Sequence, residues 1–316
     1  MSALKALCRL LVLVGMAFAA PAGAMGQREG ASTVSSFDIE GRNGISYRIF
    51  TAVPEGEAPE RGFPVVYLID GNMVFPMAAK AMSANGGMRA VLVGIGYPIE
   101  ERQQIVGLRY FDLTPPTPAE LVPVAKGAAP PRTGGRDAFL TFIEDELKPQ
   151  IERRFPVDRS RQTLYGHSLG GLFALHVLYT RPEAYQTYVA ADPSIWWNGR
   201  SILQEQDAFL RQHAGSITGK RLLIETSGKR ASRPGPDAAG AGAEHLKKLR
   251  SGPNGRDVHA ALRAIPGLAT AFRNFPEESH GSMVPLTVLD ALRFSLVGEN
   301  PADDDVRSQP NGARNP

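Results

Sequence analysis

The chain has 316 residues, 43% of them hydrophobic and 21% charged, which is enough apolar material for one large core without requiring a second domain. Its 33 Gly and 25 Pro suit a loop-rich enzyme rather than a helical bundle, and no internal repeat or heptad runs through it. The 35 basic and 32 acidic residues give a formal net charge of +3. Two of the basic residues fall in the leader described next, so the remainder is near neutral and charge gives no reason to expect nucleic acid or an anionic membrane as partner.

In chain order, Lys5 and Arg9 precede the apolar run Leu10 to Ala20, and Pro21-Ala22-Gly23-Ala24 follows with Ala22 and Ala24 in A-x-A spacing. The pattern predicts a secretory signal peptide over residues 1–24. The alternative is an uncleaved anchor, but the apolar run falls short of the ~20 residues that span a bilayer. Cys8, the only cysteine, lies inside this leader. The expected mature protein is therefore periplasmic or secreted, without disulfides, thiol nucleophile or stable membrane association.

A polar stretch from Gln27 to Ser36 leads to a folded domain expected over residues 37–297. Residues 45–50 alternate apolar and polar, as a strand does. The continuous apolar runs 63–69 and 90–95 suit strands buried on both faces, with a short helix at 77–82 between them. Residues 109–136, rich in Pro and Gly, read as a surface loop, and 137–155 as an amphipathic helix. Strands follow at 163–165, 188–190, 221–225 and 269–275. A buried helix is expected at 169–179 and a closing helix at 284–296. The polar tail 298–316 reads as disordered. Alternation of this kind builds an α/β fold, a mostly parallel central sheet with helices on both faces, whose ligands bind beyond the carboxyl ends of the strands.

Gly166-His167-Ser168-Leu169-Gly170 sits between a predicted strand and a predicted helix. G-x-S-x-G in that context is a nucleophile elbow: small flanking residues allow a sharp turn that exposes the serine hydroxyl. The amide of Leu169 then stands at a helix N-terminus as an oxyanion donor, and the amide of Asn72, after an earlier strand, is the expected second donor. A serine hydroxyl needs a base. Of six histidines, His280 follows the last strand and precedes the last helix, where the nucleophile–acid–histidine order places the base. Three readings stand for the acid: Glu225 at the end of its strand as first choice, Asp237 in the loop beyond, or a Ser–His dyad without a carboxylate. No metal-ligand spacing is readable, and serine hydrolysis needs no cofactor.

Several runs together resemble the putative-esterase family of α/β-hydrolases, which includes enterochelin (enterobactin) and feruloyl-type esterases. They are Tyr67-Leu68-Ile69-Asp70-Gly71-Asn72, Arg154-Phe155-Pro156-Val157-Asp158, Tyr165 to Gly171, Pro193-Ser194-Ile195-Trp196-Trp197, and Phe275-Pro276 leading to His280-Gly281-Ser282-Met283. The resemblance is greatest to the exported siderophore esterases. It implies the α/β-hydrolase fold, Ser168 and His280 as the catalytic pair, and a small-molecule ester substrate such as ferric or free enterobactin. The loop 228–233 lacks the Glu that members often carry there. A ferric tris-catecholate is trianionic, so the implied pocket offers cations and aromatic surface, with Arg109, Arg230, Trp196 and Trp197 as candidates.

Overall fold

The computed structural model describes residues 27–29, 32–85, 87–123, 129–229 and 251–300. The leader expected over 1–24 and the tail from 301 onward lie outside the described residues.

Among the described residues nine strands form one sheet in the order β1-β2-β3-β5-β4-β6-β7-β8-β9. They are β1 (Gln27–Glu29), β2 (Ser32–Glu40), β3 (Ser46–Pro54), β4 (Phe63–Ile69), β5 (Val91–Gly96), β6 (Val157–His167), β7 (Thr187–Ala191), β8 (Lys220–Lys229) and β9 (Leu268–Ser279). Pairings from β1 to β5 are antiparallel. From β5 through β4 to β9 every pairing is parallel. The sheet begins at Gln27, ahead of the expected boundary at 37. β2 pairs along its whole length with β3 but buries little, and such a half-solvated antiparallel strand has no need of an apolar run.

The central strands are buried on both faces, as their apolar runs predict. In β4, Phe63, Val65, Tyr67 and Ile69 enter one core and Val66 and Leu68 the other. The first core is closed by α3 (Arg136–Phe142), α4 (Lys148–Arg154), α5 (Leu169–Thr180), α6 (Ile202–Gln212) and α7 (Gly255–Leu262). The second is closed by α1 (Gly71–Ala84) and α8 (Val284–Leu292) through Val74, Phe75, Ala78 and Met82 against Val284, Val288 and Leu292. A π-helical turn joins α3 to α4, so the amphipathic segment expected at 137–155 is one bent element.

The expected loop 109–136 starts later than the sequence suggests. Residues Arg102–Leu113 form α2, whose Glu101 cap accepts from the Gln103 amide at 3.4 Å. Gly107 and five polar residues dilute the apolar period, yet Ile105 and Leu108 pack on the core and Asp112 and Leu113 are buried.

Helix α1 approaches the sheet closely because it starts at a glycine. A Cβ on Gly71 would stand 2.7 Å from the Gly94 carbonyl carbon and the Ile95 amide nitrogen, both backbone atoms of β5. Gly71→Ala should therefore push α1 off β5 and cost about 3 kcal/mol or more, visible as a drop of several degrees in thermal unfolding. An unchanged melting temperature would contradict this contact.

Candidate active site

Three strands end in a left-handed residue that is not glycine. Asp70 (φ 61°) follows β4, Ser168 (φ 61°) follows β6 and Asp192 (φ 40°) follows β7. Such conformations cost of order 1–3 kcal/mol each and cluster where a site requires them. At Ser168 the chain turns from β6 into α5 with ψ −115°. Gly166 permits the turn, since a Cβ there would lie 2.1 Å from the Gly170 carbonyl oxygen. The turn is pinned from β7: the Ser168 amide donates to the Ala191 carbonyl at 2.9 Å, and the Ser194 amide donates to the Ser168 carbonyl at 3.1 Å.

The elbow brings Ser168 to His280. His280 follows β9, and its Nε2 lies 3.0 Å from Ser168 Oγ. Its Nδ1 lies 2.7 Å from Asp192 Oδ2. Asp192 also accepts from the Ser227 hydroxyl at 2.7 Å and, through Oδ1, from the Ser227 amide at 3.3 Å. Burial pushes the Asp192 carboxyl upward, but the hydrogen bonds from His280 and Ser227 and the charge on His280 outweigh it and hold it below the usual range. An ionised Asp192 fixes Nδ1–H on His280, leaving Nε2 free to accept the serine proton. The Ser194 hydroxyl stands 3.3 Å from Ser168 Oγ as a second polar neighbour.

Asp192 holds the place expected for Glu225. The reason is strand parity. Leu223 packs in the α1–α8 core while Leu222 and Ile224 face the other, so Glu225, two residues after Leu223, points toward α8. There its carboxyl is fully buried beside Asp290 of α8 and Arg273 of β9. Burial, then the charge on Asp290, pushes it well above the usual carboxyl range, against the pull of Arg273. Glu225 serves the site only through its backbone carbonyl, which accepts from the Asp192 amide at 2.8 Å. Asp237 lies outside the described residues. The signal in the sequence is an acid directly after β7, Asp192. It keeps the nucleophile–acid–histidine order but on the preceding strand.

Leu169 is the first residue of α5 and Asn72 the second of α1, and these helices start at the carboxyl ends of adjacent strands. Amides in a first helical turn have no intrahelical acceptor, and the helix dipole adds partial positive charge there. The Asn72 side chain is committed elsewhere: its Nδ2 donates to the Tyr97 carbonyl at 2.9 Å and its Oδ1 accepts from the Tyr97 amide at 2.8 Å. That leaves the backbone N–H as the donor residue 72 can offer.

Of the residues expected to meet a substrate, two have other partners. Arg109 lies on α2 and donates from Nε to Asp70 Oδ1 at 2.6 Å and from Nη2 to the His167 carbonyl at 3.2 Å. It therefore clamps the ends of β4 and β6 rather than standing free for an anion. Trp197 is buried, and its indole N–H donates to Thr117 Oγ1 at 3.0 Å, tying the loop after α2 to the segment after β7. Trp196 is half-buried, its ring centroid 5.7 Å from that of Trp197. Arg230 lies outside the described residues. Among the described residues no cluster of His, Cys, Asp or Glu is arranged to hold a metal.

The family model described as "Putative esterase" matches residues 44–254. The chain is 38% identical over 266 residues to the ferri-bacillibactin esterase BesA of Bacillus subtilis, covering 81% of this chain and 86% of that one. It is 35% identical over 277 residues to the siderophore triacetylfusarinine C esterase of Aspergillus fumigatus, covering 81% and 90%. The crystal structure of the BES protein from Bacillus cereus superposes with a TM-score of 0.70 at 31% identity, over 85% of this chain and 98% of that one. The fold is that of the α/β-hydrolases, as the sheet order and these neighbours show.

The two carboxyls should separate cleanly on mutation. Asp192→Asn should lower kcat/KM by about 10³–10⁴, because the wrong tautomer of His280 is then favoured. Glu225→Gln, an isosteric change at a carboxyl that faces α8 and not His280, should stay within about threefold. The same substitution has a signed pH effect. Unfolded, Glu225 releases its proton near 4.5, while folded it keeps it to a higher pH. Wild-type stability contributed by this group is thus complete below 4.5 and lost as pH rises, by up to about 1.4 kcal/mol per unit. Denaturant titrations should show Glu225→Gln gaining on wild type from pH 5 upward, and parallel curves would refute the upward shift of Glu225.

Proposed function

Because the chain belongs to the putative-esterase family, we propose that it hydrolyses the ester bonds of a siderophore, and specifically of a catecholate such as enterobactin, ferric or free. The observation that carries the reading is the continuous hydrogen-bonded path Ser168–His280–Asp192 at the strand ends. Support for the substrate class comes from the curated relatives, which act on ferri-bacillibactin and triacetylfusarinine C and match over most of their length.

In the proposed reaction Ser168 Oγ attacks the ester carbonyl carbon while His280 Nε2 takes the hydroxyl proton. The charge that develops on the carbonyl oxygen is met by the Leu169 and Asn72 amides, and each such donor is worth about 3–4 kcal/mol in other serine hydrolases. The ester C–O bond then breaks, and the leaving alkoxide takes the proton from His280. Water, deprotonated by the same nitrogen, attacks the acyl-serine and restores Ser168 with release of the acid. Asp192 stabilises the imidazolium in both halves without itself taking the proton. The leader over residues 1–24 supports action outside the cytoplasm, in the periplasm or beyond.

Purified protein incubated with ferric and free enterobactin should release linear dihydroxybenzoylserine products. Ser168→Ala and His280→Ala should each lose about 10⁴ or more in kcat. Turnover of p-nitrophenyl or feruloyl esters with none of the siderophore would replace this reading by a general carboxylesterase. Tight siderophore binding without fluorophosphonate labelling of Ser168 would replace it by an exported binding protein.

A further inference from the structure

His280 is poorly held by its own segment. Its side chain is about half exposed. The turn that carries it is bonded mainly to itself, through the Ser279 amide to Ser282 Oγ at 2.9 Å and Ser282 Oγ to Glu278 at 2.5 Å. The Asp192 and Ser168 hydrogen bonds hold the two ring nitrogens but leave the ring free to rotate about the line between them. A further contact comes from a residue that the reaction does not use. His167, last in β6 and next to the nucleophile, is 5% exposed. Its ring centroid lies 4.5 Å from that of His280 with 40° between the planes. The His167 backbone is fixed in turn by the Arg109 guanidinium on its carbonyl.

We propose that His167 is a positioning residue that holds the His280 imidazole in its reactive orientation by ring contact. The inference rests on reading Ser168, His280 and Asp192 as the reacting set.

Histidine suits this place because it offers a flat ring while staying uncharged. Burial, then the charges on His280 and on Arg109, depress the His167 ring to about 3, against the opposing pull of Asp192. When His280 becomes an imidazolium, its neighbour at 4.5 Å is therefore neutral and does not repel it. A lysine or arginine there would oppose the protonated intermediate, and a small residue would leave the ring unsupported. Loss of the support lowers the fraction of molecules with His280 in place, and the rate falls by that fraction.

The test compares His167→Leu, His167→Gln and His167→Phe with wild type and with Ser168→Ala. Two readouts are used: the fluorophosphonate inactivation rate at Ser168, and kcat and KM on a p-nitrophenyl ester. His167→Leu should lose about ten- to a hundredfold in both kcat and inactivation rate with KM nearly unchanged. His167→Phe, which keeps a ring, should recover most of that loss, and His167→Gln, which has none, should not. A folded His167→Leu protein labelled at the wild-type rate overturns the proposal. Should the leucine variant not fold, a wild-type labelling rate in the glutamine variant overturns it equally. Labelling that persists in Ser168→Ala would instead overturn the underlying assignment of the nucleophile, so the two failures are distinct.

Discussion

The backbone of Ser168 is the constraint from which the rest of the site follows. A φ of 61° with ψ −115° is costly for a residue with a side chain, and it persists only because its surroundings fix it. Its amide is bound to β7, its carbonyl accepts from both Leu172 and Ser194, and the space beside it is cleared by Gly166. Three of these partners, Ala191, Leu172 and Ser194, belong to β7, the following helix and the segment after β7. The elbow is therefore a property of the parallel sheet as much as of the pentapeptide. A G-x-S-x-G in a surface loop would have the glycines but no Ala191 carbonyl to hold the turn.

The same logic extends sideways along the strand ends. Asp70 and Asp192 adopt left-handed backbones on either side of Ser168, and each carboxylate has a cationic or proton-donating partner. Asp70 binds Arg109, which also holds the last carbonyl of β6, so α2 ties together the two strands whose following helices provide the Leu169 and Asn72 amides. A largely buried ion pair adds little net stability but is expensive to break, by about 3–5 kcal/mol when one partner is removed. Its value here is geometric. It sets the separation of two helix N-termini, which an oxyanion would have to bridge.

What the sequence revealed, and what it hid, divides along physical lines. The buried strands were legible because parallel strands covered on both faces are continuously apolar, and 63–69 and 90–95 obey that rule. The elbow was legible because its glycines are required by steric contact. Chain order singled out His280. Helix α2 was hidden because Gly107 and polar residues break its period, and Arg109 was therefore placed in a loop rather than in a clamp. The acid was hidden for a different reason. Glu225 closes the apolar run of a strand that continues to Lys229 and Asp192 follows the end of another, and a sequence does not state toward which face such a carboxyl turns. Counting outward from Leu223 settles it only once the two cores are known.

That choice of face also accounts for the charge states around His280. Asp192 and Glu225 are both desolvated. Asp192 is kept ionised because His280 and Ser227 donate to it, whereas Glu225 meets another acid, Asp290, and is pushed well above the usual carboxyl range. His167, buried against His280, is kept neutral. Had His167 been protonated, it would oppose the imidazolium directly. The site thus sets the Asp192 carboxylate against the one group whose protonation changes during the reaction, while Asp70 is matched by Arg109. His167 is held neutral by burial, which is the condition under which a single hydrogen bond can direct the chemistry of a half-exposed histidine.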